Sequence, residues 1–153
     1  MPKSLIRIIS TFFCVGYFPL IPGTAGSLAG LGIYFLLKNN PLFYILALLV
    51  LLILGFLASE EAEKVFNKKD PSCVVIDEVC GMLLALLFVP YDIRLVVIGF
   101  LIFRALDTLK PFPAGRLERM KGGLGIMLDD IAAGIYTNIT LQIVSIFTSF
   151  KVS

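Results

Sequence analysis

Long apolar runs separated by short charged segments dominate the chain. The runs 41–58 and 131–150 contain no charged residue. A bilayer requires about 20 apolar residues for each crossing helix, so both runs predict membrane-spanning helices. A third uncharged run, 15–37, is broken in its first half by prolines and glycines. We expect it to enter the membrane as a loop and to become helical near Thr24.

Two shorter apolar runs on either side of Tyr91 predict a helical hairpin. The Asp70–Pro71 pair is typical of an N-cap followed by proline at the first helical position, and Pro111 disfavours helix at the residue before it. With these boundaries each helix is long enough to cross a membrane. We therefore expect helices over about 71–89 and 93–109.

Two further helices are expected at the membrane surface. Residues 1–13 carry Lys3 and Arg7 on an otherwise apolar background, which predicts an interfacial helix. The charged run 60–69 predicts a short, solvated cytoplasmic helix. The predicted fold class is therefore all-α: a polytopic membrane helical bundle with about five membrane-embedded helices plus these two. We expect residues 1–153 to form one domain.

Composition and charge distribution support the membrane assignment. Hydrophobic residues make up 58% of the chain and charged residues only 16%, whereas soluble domains are about half apolar and about a quarter charged. Following the predicted helices in order places ten of the 13 basic residues on one side, and leaves Lys38, Arg94 and Lys151 on the other. By the positive-inside rule, the basic side is cytoplasmic. Ten of the 11 acidic residues lie on that side too.

The residues that are missing narrow the chemistry. The chain has no histidine, which excludes histidine-nucleophile phosphatases, Ser-His triads and the usual zinc ligands. Its three cysteines form no C-x-x-C pair, and the net charge of +2 indicates no nucleic-acid partner. Hydrolytic chemistry would have to use carboxylates, Lys, Arg, hydroxyls and a hard metal ion.

Chemically useful side chains converge at one depth. Asp77 lies 14 residues before the hairpin tip at Tyr91 and Asp107 lies 16 after it, so both are expected about 21–24 Å below the tip. Thr24 is expected at a similar depth, and the Asp129–Asp130 pair opens the last predicted helix from the same face. The predicted layer contains Thr24, Asp77, Glu78, Asp107, Lys110, Asp129 and Asp130.

Five carboxylates in so thin a layer repel one another unless a cation is present. Oxygen ligands without His or Cys favour a hard ion such as Mg²⁺. Arg104 and Lys110 stand three residues before and after Asp107, where they share its helical face and are suited to a phosphate. The glycine-rich runs 22–27 and 122–125 each fit either a bend or an oxyanion cradle. Any single acidic residue could instead be a solvated helix end, with Asp129 or Asp130 as a cap.

Four blocks of residues together resemble the phosphatidylglycerophosphatase A family. The resemblance covers nearly the whole chain, with the blocks in the same order and at similar spacing, and Lys121 stands where some members have histidine. It implies an all-helical fold and Mg²⁺-dependent hydrolysis of the terminal phosphate of phosphatidylglycerophosphate, giving phosphatidylglycerol, on the cytoplasmic side of a bacterial inner membrane. The blocks are 19–27 (PLIPGTAGS), Asp77–Glu78 with Gly81, 103–113 (FRALDTLKPFP), and 122–130 (GGLGIMLDD) with Ala133–Gly134.

The resulting hypothesis assigns a role to each candidate residue. The catalytic and metal-binding set is expected to be Asp77, Glu78, Asp107, Asp129 and Asp130, one of them acting as general base. Phosphate is expected to be held by Arg104 and Lys110, with Thr24 and Ser27. The partners are the lipid substrate and the bilayer, with no nucleic acid; the sequence does not indicate an oligomeric state. It leaves open whether water or a carboxylate attacks phosphorus.

Two other classes of protein fit parts of the pattern. A small cation transporter or channel would use the carboxylates as an ion site, and the last apolar run carries polar residues that could continue its pathway: Thr137, Asn138, Thr140 and Gln142. A scaffold protein with a charged cytoplasmic face would keep its function when Asp107 or Asp129 is neutralised.

Overall fold

The computed structural model describes residues 1–112, 116, 120 and 122–149; Arg119, Lys121 and Lys151 lie outside these ranges. Every regular element among the described residues is helical, which confirms the all-α prediction. A short 3₁₀ turn at Val15–Tyr17 follows the first helix. The helices are α1 (Lys3–Ser10), α2 (Pro22–Leu37), α3 (Pro41–Phe66), α4 (Ile76–Leu86), α5 (Ile93–Leu109) and α6 (Gly123–Ser149).

Helix α4 forms the centre of the molecule. Nine of its eleven residues are buried, and it packs against α2, α3, α5 and α6. Its backbone comes closest to α6 where Gly81 meets Gly134: a Cβ atom added to Gly134 would lie only 2.5 Å from the Gly81 carbonyl oxygen. Only glycine fits such an approach, because any side chain would separate the two helices.

The helices alternate in direction between two ends of the bundle. At one end, Gly23 in the first turn of α2 lies beside Glu78 and Arg104. At the other end, the Lys38 ammonium, just after α2, lies 3.7 Å from the centroid of the Tyr91 ring. The chain from Asp77 to Tyr91 therefore covers the same length as α2, and α5 returns it to the first end.

Two helices, α3 and α6, are long and apolar enough to cross a membrane. Both present large apolar side chains outward. A water-facing surface rarely carries so extensive an apolar face, so the described helices have the surface of a membrane protein. The exposed residues include Leu42, Phe43, Leu46, Leu49, Val50 and Ile53 on α3, and Ile135, Ile139, Ile143, Ile146 and Phe147 on α6.

Two predicted helix boundaries were wrong. Helix α4 begins at Ile76 and ends at Leu86, so Asp70 does not cap it; at eleven residues it is about 16 Å long, too short to cross a membrane alone. The preceding strand-like segment is held instead by the Val75 N–H, which donates to the Ser10 carbonyl at 2.9 Å. Helix α6 begins at Gly123, so Asp129 lies inside the helix rather than at its opening.

The other boundaries agree more closely with the sequence. Helix α5 occupies the predicted 93–109, and α2 begins two residues before Thr24 with proline at its first position. The predicted cytoplasmic helix is not separate, because α3 continues without a break through the charged segment to Phe66. Helix α1 is confirmed as a helix and packs against α3; its position at the interface stays a prediction.

Candidate active site

A polar cavity of about 220 Å³ opens at the end of the bundle where α2, α4 and α6 begin and α5 ends. All five predicted carboxylates and both predicted basic side chains line it. Small-molecule pockets typically measure about 300–1,000 Å³, so this cavity suits a small polar group. Its described lining is Pro22, Gly23, Asp70, Ser72, Val74, Asp77, Glu78, Arg104, Asp107, Lys110, Ile126, Asp129 and Asp130.

The glycine contact between α4 and α6 places two carboxylates opposite each other. The two helices run in the same direction away from the cavity. Asp77 stands four residues before Gly81, and Asp130 stands four residues before Gly134. Residues four apart lie on the same face of a helix, so both carboxylates project one turn below the close backbone contact. Both residues are buried.

Three of the carboxylates are grouped as ligands of one cation would be. One oxygen from each of Asp77, Glu78 and Asp130 lies within 4.8 Å of the other two. Buried carboxylate oxygens without partners are costly, and four such atoms occur here among the described residues: Asp77 Oδ1, Glu78 Oε2, Asp129 Oδ1 and Asp130 Oδ1. Hard oxygen donors that lack protein partners fit a divalent cation such as Mg²⁺.

The other two carboxylates hold the basic side chains. The Lys110 ammonium donates to Asp129 Oδ2 at 2.7 Å, and the Arg104 guanidinium forms an ion pair with Asp107 one turn along α5. Each pair is mostly buried. These two cations pair with Asp107 and Asp129, which leaves Asp77, Glu78 and Asp130 without an ion pair among the described residues.

The predicted hydroxyl contacts have a different geometry. Ser27 is fully buried, donates to the Gly23 carbonyl at 3.0 Å and accepts from Arg104 Nη1 at 3.4 Å. The Ser27 hydroxyl therefore contacts the Arg104 guanidinium but does not itself line the cavity. Thr24 is not among the described residues that line the cavity. A phosphate contact by either hydroxyl stays a prediction.

Glycine at position 23 keeps α2 close to the charged groups. A Cβ atom there would collide with the Glu78 carboxylate and would lie 3.1 Å from Arg104 Nη2. The start of α2 thus forms a wall of the cavity through its backbone, with no side chain in the way. This explains the first glycine of the Pro22–Ser27 run.

Sequence reasoning missed the loop that joins α3 to α4. Asp70 and Ser72 in this loop line the cavity. The Asp-Pro-Ser run was interpreted as a helix cap, and its turn-forming composition was the signal that a loop reaches the site here.

The polar residues of α6 do not extend the site across the bundle, because each one makes a hydrogen bond. Asn138 donates to the carbonyls of Ala85 and Leu87, at 3.2 and 2.7 Å, where α4 ends. Gln142 donates to the Asn138 side chain at 2.9 Å. Thr137 and Thr140 each donate to the carbonyl four residues earlier, both at 2.8 Å. The Asn138 bonds join α6 to the end of α4, and the other bonds lie within α6. These four polar side chains therefore have structural roles, which weakens the argument for an ion pathway.

Buried carboxylates and two basic side chains around a small polar cavity, in an apolar helical bundle, are what a lipid phosphatase would require. The chain belongs to the Phosphatidylglycerophosphatase A family, whose model matches residues 8–145. This confirms the resemblance drawn from the four sequence blocks.

Curated relatives support the same family. Phosphatidylglycerophosphatase A of Escherichia coli is 36% identical over 132 residues, covering 84% of this chain and 77% of that protein. The Haemophilus influenzae protein of the same name is 31% identical over 140 residues, covering 89% and 86%. A Bacteroides thetaiotaomicron protein described as a candidate phosphatidylinositol-3-phosphatase is 38% identical over 151 residues, covering 93% and 94%. No solved structure matches the chain.

Proposed function

We propose that the protein hydrolyses the terminal phosphate of phosphatidylglycerophosphate to give phosphatidylglycerol and inorganic phosphate, in phospholipid synthesis, and that it depends on Mg²⁺. One observation carries the proposal: in a chain of this family, three carboxylates without an ion pair among the described residues face the same cavity as Arg104 and Lys110. Acidic groups alone would repel a phosphate, whereas acidic groups with a cation beside two basic side chains would bind it.

Asp77, Glu78 and Asp130 would hold the cation, because their oxygens lie close together and are not satisfied by other protein groups. The cation would neutralise these carboxylates and withdraw charge from the phosphate ester. Of the predicted metal-binding set, Asp107 and Asp129 are engaged with basic side chains, and we assign them to positioning and proton transfer.

The ion pairs suggest how the protein groups act on the substrate. The terminal phosphate would bind to the Arg104 guanidinium and the Lys110 ammonium, which lie on either side of Asp107. When phosphate takes over the ammonium, Asp129 loses its partner and can accept a proton from the attacking water. The water oxygen would form a bond to phosphorus while the bond between phosphorus and the glycerol oxygen breaks, and the proton that Asp129 accepted would pass to that glycerol oxygen as the alcohol leaves.

We also propose a topology of five passes with the cavity at the cytoplasmic face of a bacterial inner membrane. Helix α4 and the connection to Tyr91 together make one pass, as long as α2. The charge bias supports the orientation, since ten of the 13 basic residues fall at the cavity end in this topology. The substrate's acyl chains would remain in the bilayer.

A second candidate substrate is a phosphatidylinositol 3-phosphate, favoured by the 38% identity to the Bacteroides relative. The chemistry is the same, because both lipids carry a phosphate monoester on a polyol head group. The two head groups differ in size, because an inositol ring is larger than glycerol. A cavity of about 220 Å³ therefore suits the glycerol head group better.

Phosphate release from both lipids by the purified protein in detergent, with Mg²⁺ or with a chelator, tests the proposal. We expect Mg²⁺-dependent release from phosphatidylglycerophosphate that Asp107→Asn and Asp129→Asn abolish. Asp92→Asn is the matched control, because Asp92 is a half-buried carboxylate at the opposite end that pairs with Arg94, and asparagine can still cap α5 there. Release from the inositol lipid alone would assign the second substrate, and no release from either by folded protein would refute the phosphatase assignment.

A further inference from the structure

The cavity accepts the head group of a lipid but has no room for its acyl chains. It measures about 220 Å³, and polar or charged side chains dominate its lining. The rest of the substrate must therefore leave across the rim. The side chains at this rim therefore determine whether an acyl chain finds apolar contacts there.

Exposed apolar side chains stand beside two walls of the cavity, one at the start of α2 and one at the end of α5. Leu20 and Ile21 come directly before the wall formed by Pro22 and Gly23, and Leu20 is 98% exposed. Leu109 and Phe112 stand next to Lys110 on the other wall and are 76% and 71% exposed. An acidic cavity with apolar residues on both flanks matches the two parts of a phospholipid.

Leu20 is one of eight described residues other than glycine with positive φ, and it is more exposed than Phe13 and Phe88 in that set. Its φ of +78° lies in the left-handed region, which residues other than glycine, asparagine and aspartate rarely adopt. Neither this backbone conformation nor a fully exposed leucine is favourable in water. Unfavourable backbone conformations concentrate at functional sites, and an apolar ligand at this position would cover the side chain.

We propose that Leu20 and Ile21 before the start of α2, with Leu109 and Phe112 at the end of α5, form an acyl-chain subsite that receives the hydrocarbon of the lipid substrate next to the cavity. The inference rests on the proposed lipid phosphatase function and adds a subsite to it. These residues bind the apolar part of the lipid and take no part in the chemistry at phosphorus. They should therefore affect KM for acylated substrates and leave kcat unchanged.

Leu20→Asn is the informative variant, because asparagine tolerates the left-handed backbone and removes the apolar contact. With long-chain substrate in mixed micelles, we expect KM to rise about tenfold while kcat stays within about twofold. For the deacylated, water-soluble head group, we expect kcat/KM to be unchanged. Phe112→Ser, just after α5, should likewise raise KM for the long-chain substrate and leave kcat unchanged. Leu36→Asn is the control, since Leu36 is 82% exposed at the far end of α2.

The two substrates separate the possible failures. Equal losses on the acylated and deacylated substrates, or no loss on either, would refute the subsite while leaving the phosphatase intact. A similar rise in KM for Leu36→Asn would also refute it, because a general effect of lost apolar surface would then suffice. Absence of hydrolysis of both substrates by folded wild-type protein would instead refute the proposed function, and the subsite with it.

Discussion

Neutralising Asp130 should stabilise the metal-free protein. Its carboxylate lies within 4.8 Å of oxygens from both Asp77 and Glu78. Two unit charges at that distance repel by about 3 kcal/mol at an effective dielectric constant of about 20. Proton uptake by one of the three carboxyl groups limits the total repulsion energy. We therefore expect Asp130→Asn to stabilise the folded protein by about 2–4 kcal/mol. For a chain of about 150 residues this corresponds to a rise in Tm of at least about 5 °C in the presence of a chelator.

Mg²⁺ should stabilise the wild-type protein more than it stabilises Asp130→Asn. A cation at one hundred times its Kd stabilises the folded state by about 2.7 kcal/mol, so wild-type protein should melt several degrees higher with Mg²⁺ than with a chelator. Asp130→Asn should lose most of this gain together with its phosphatase activity. The same substitution would thus raise the Tm of the metal-free protein and remove its response to metal.

A thiol-reactive fluorophore provides the assay. Cys80 is fully buried on α4 and becomes reactive only on unfolding, while the exposed Cys14 can be replaced by serine to lower the background. Asp92→Asn serves as the control and should melt like the wild type. The reasoning would be refuted if Asp130→Asn melted at or below the wild type in chelator, or if it kept the full Mg²⁺ response.

Three further predictions concern positioning and packing. Lys110→Met should lower kcat/KM for phosphate release at least about 100-fold, because it removes a phosphate contact and leaves a buried carboxylate unpaired; Lys64→Met, at an exposed ion pair, should not. Gly134→Ala should cost about 2–3 kcal/mol in thermal denaturation, since its Cβ would overlap α4, whereas Gly32→Ala has open space and should not destabilise. Asn138→Ala should cost about 1–3 kcal/mol through three lost hydrogen bonds, two of them to carbonyls at the end of α4, with KM unchanged; a raised KM would contradict a purely structural role.

The sequence predicted which charged residues share one cavity better than it predicted the helix boundaries around them. Counting residues from Tyr91 was enough to place Asp77 and Asp107 at one level, because both segments run the full length of the bundle, even though α4 ends at Leu86 and the residues from there to Tyr91 are not helical. That argument does not depend on where each helix starts. The wrongly predicted start of α4 therefore did not change the result, and both residues line one cavity.

The misplaced boundaries come from contacts between distant segments. Helix α6 starts at Gly123 because the missing side chain lets it lie against α3: a Cβ there would be 2.6 Å from the Glu60 backbone nitrogen. Val75 hydrogen-bonds to Ser10 rather than continuing a helix from Asp70. Local capping patterns contain neither contact. The pairing of Lys110 with Asp129 was unpredictable for the same reason, since nineteen residues separate them.

The central position of α4 has a consequence for how the protein is made. The helix has eleven residues and carries Asp77 and Glu78 in its first turn, so it is too short and too acidic to partition into lipid by itself. It leaves the ribosome after α2 and α3 but before α5 and α6. The nascent chain must therefore wait for α6 before α4 can be fully enclosed, and a chain that stops short of α6 also lacks Asp129 and Asp130. With the proposed site and topology, insertion and enzymatic competence are completed in the same step, and we expect a truncated product to be inactive.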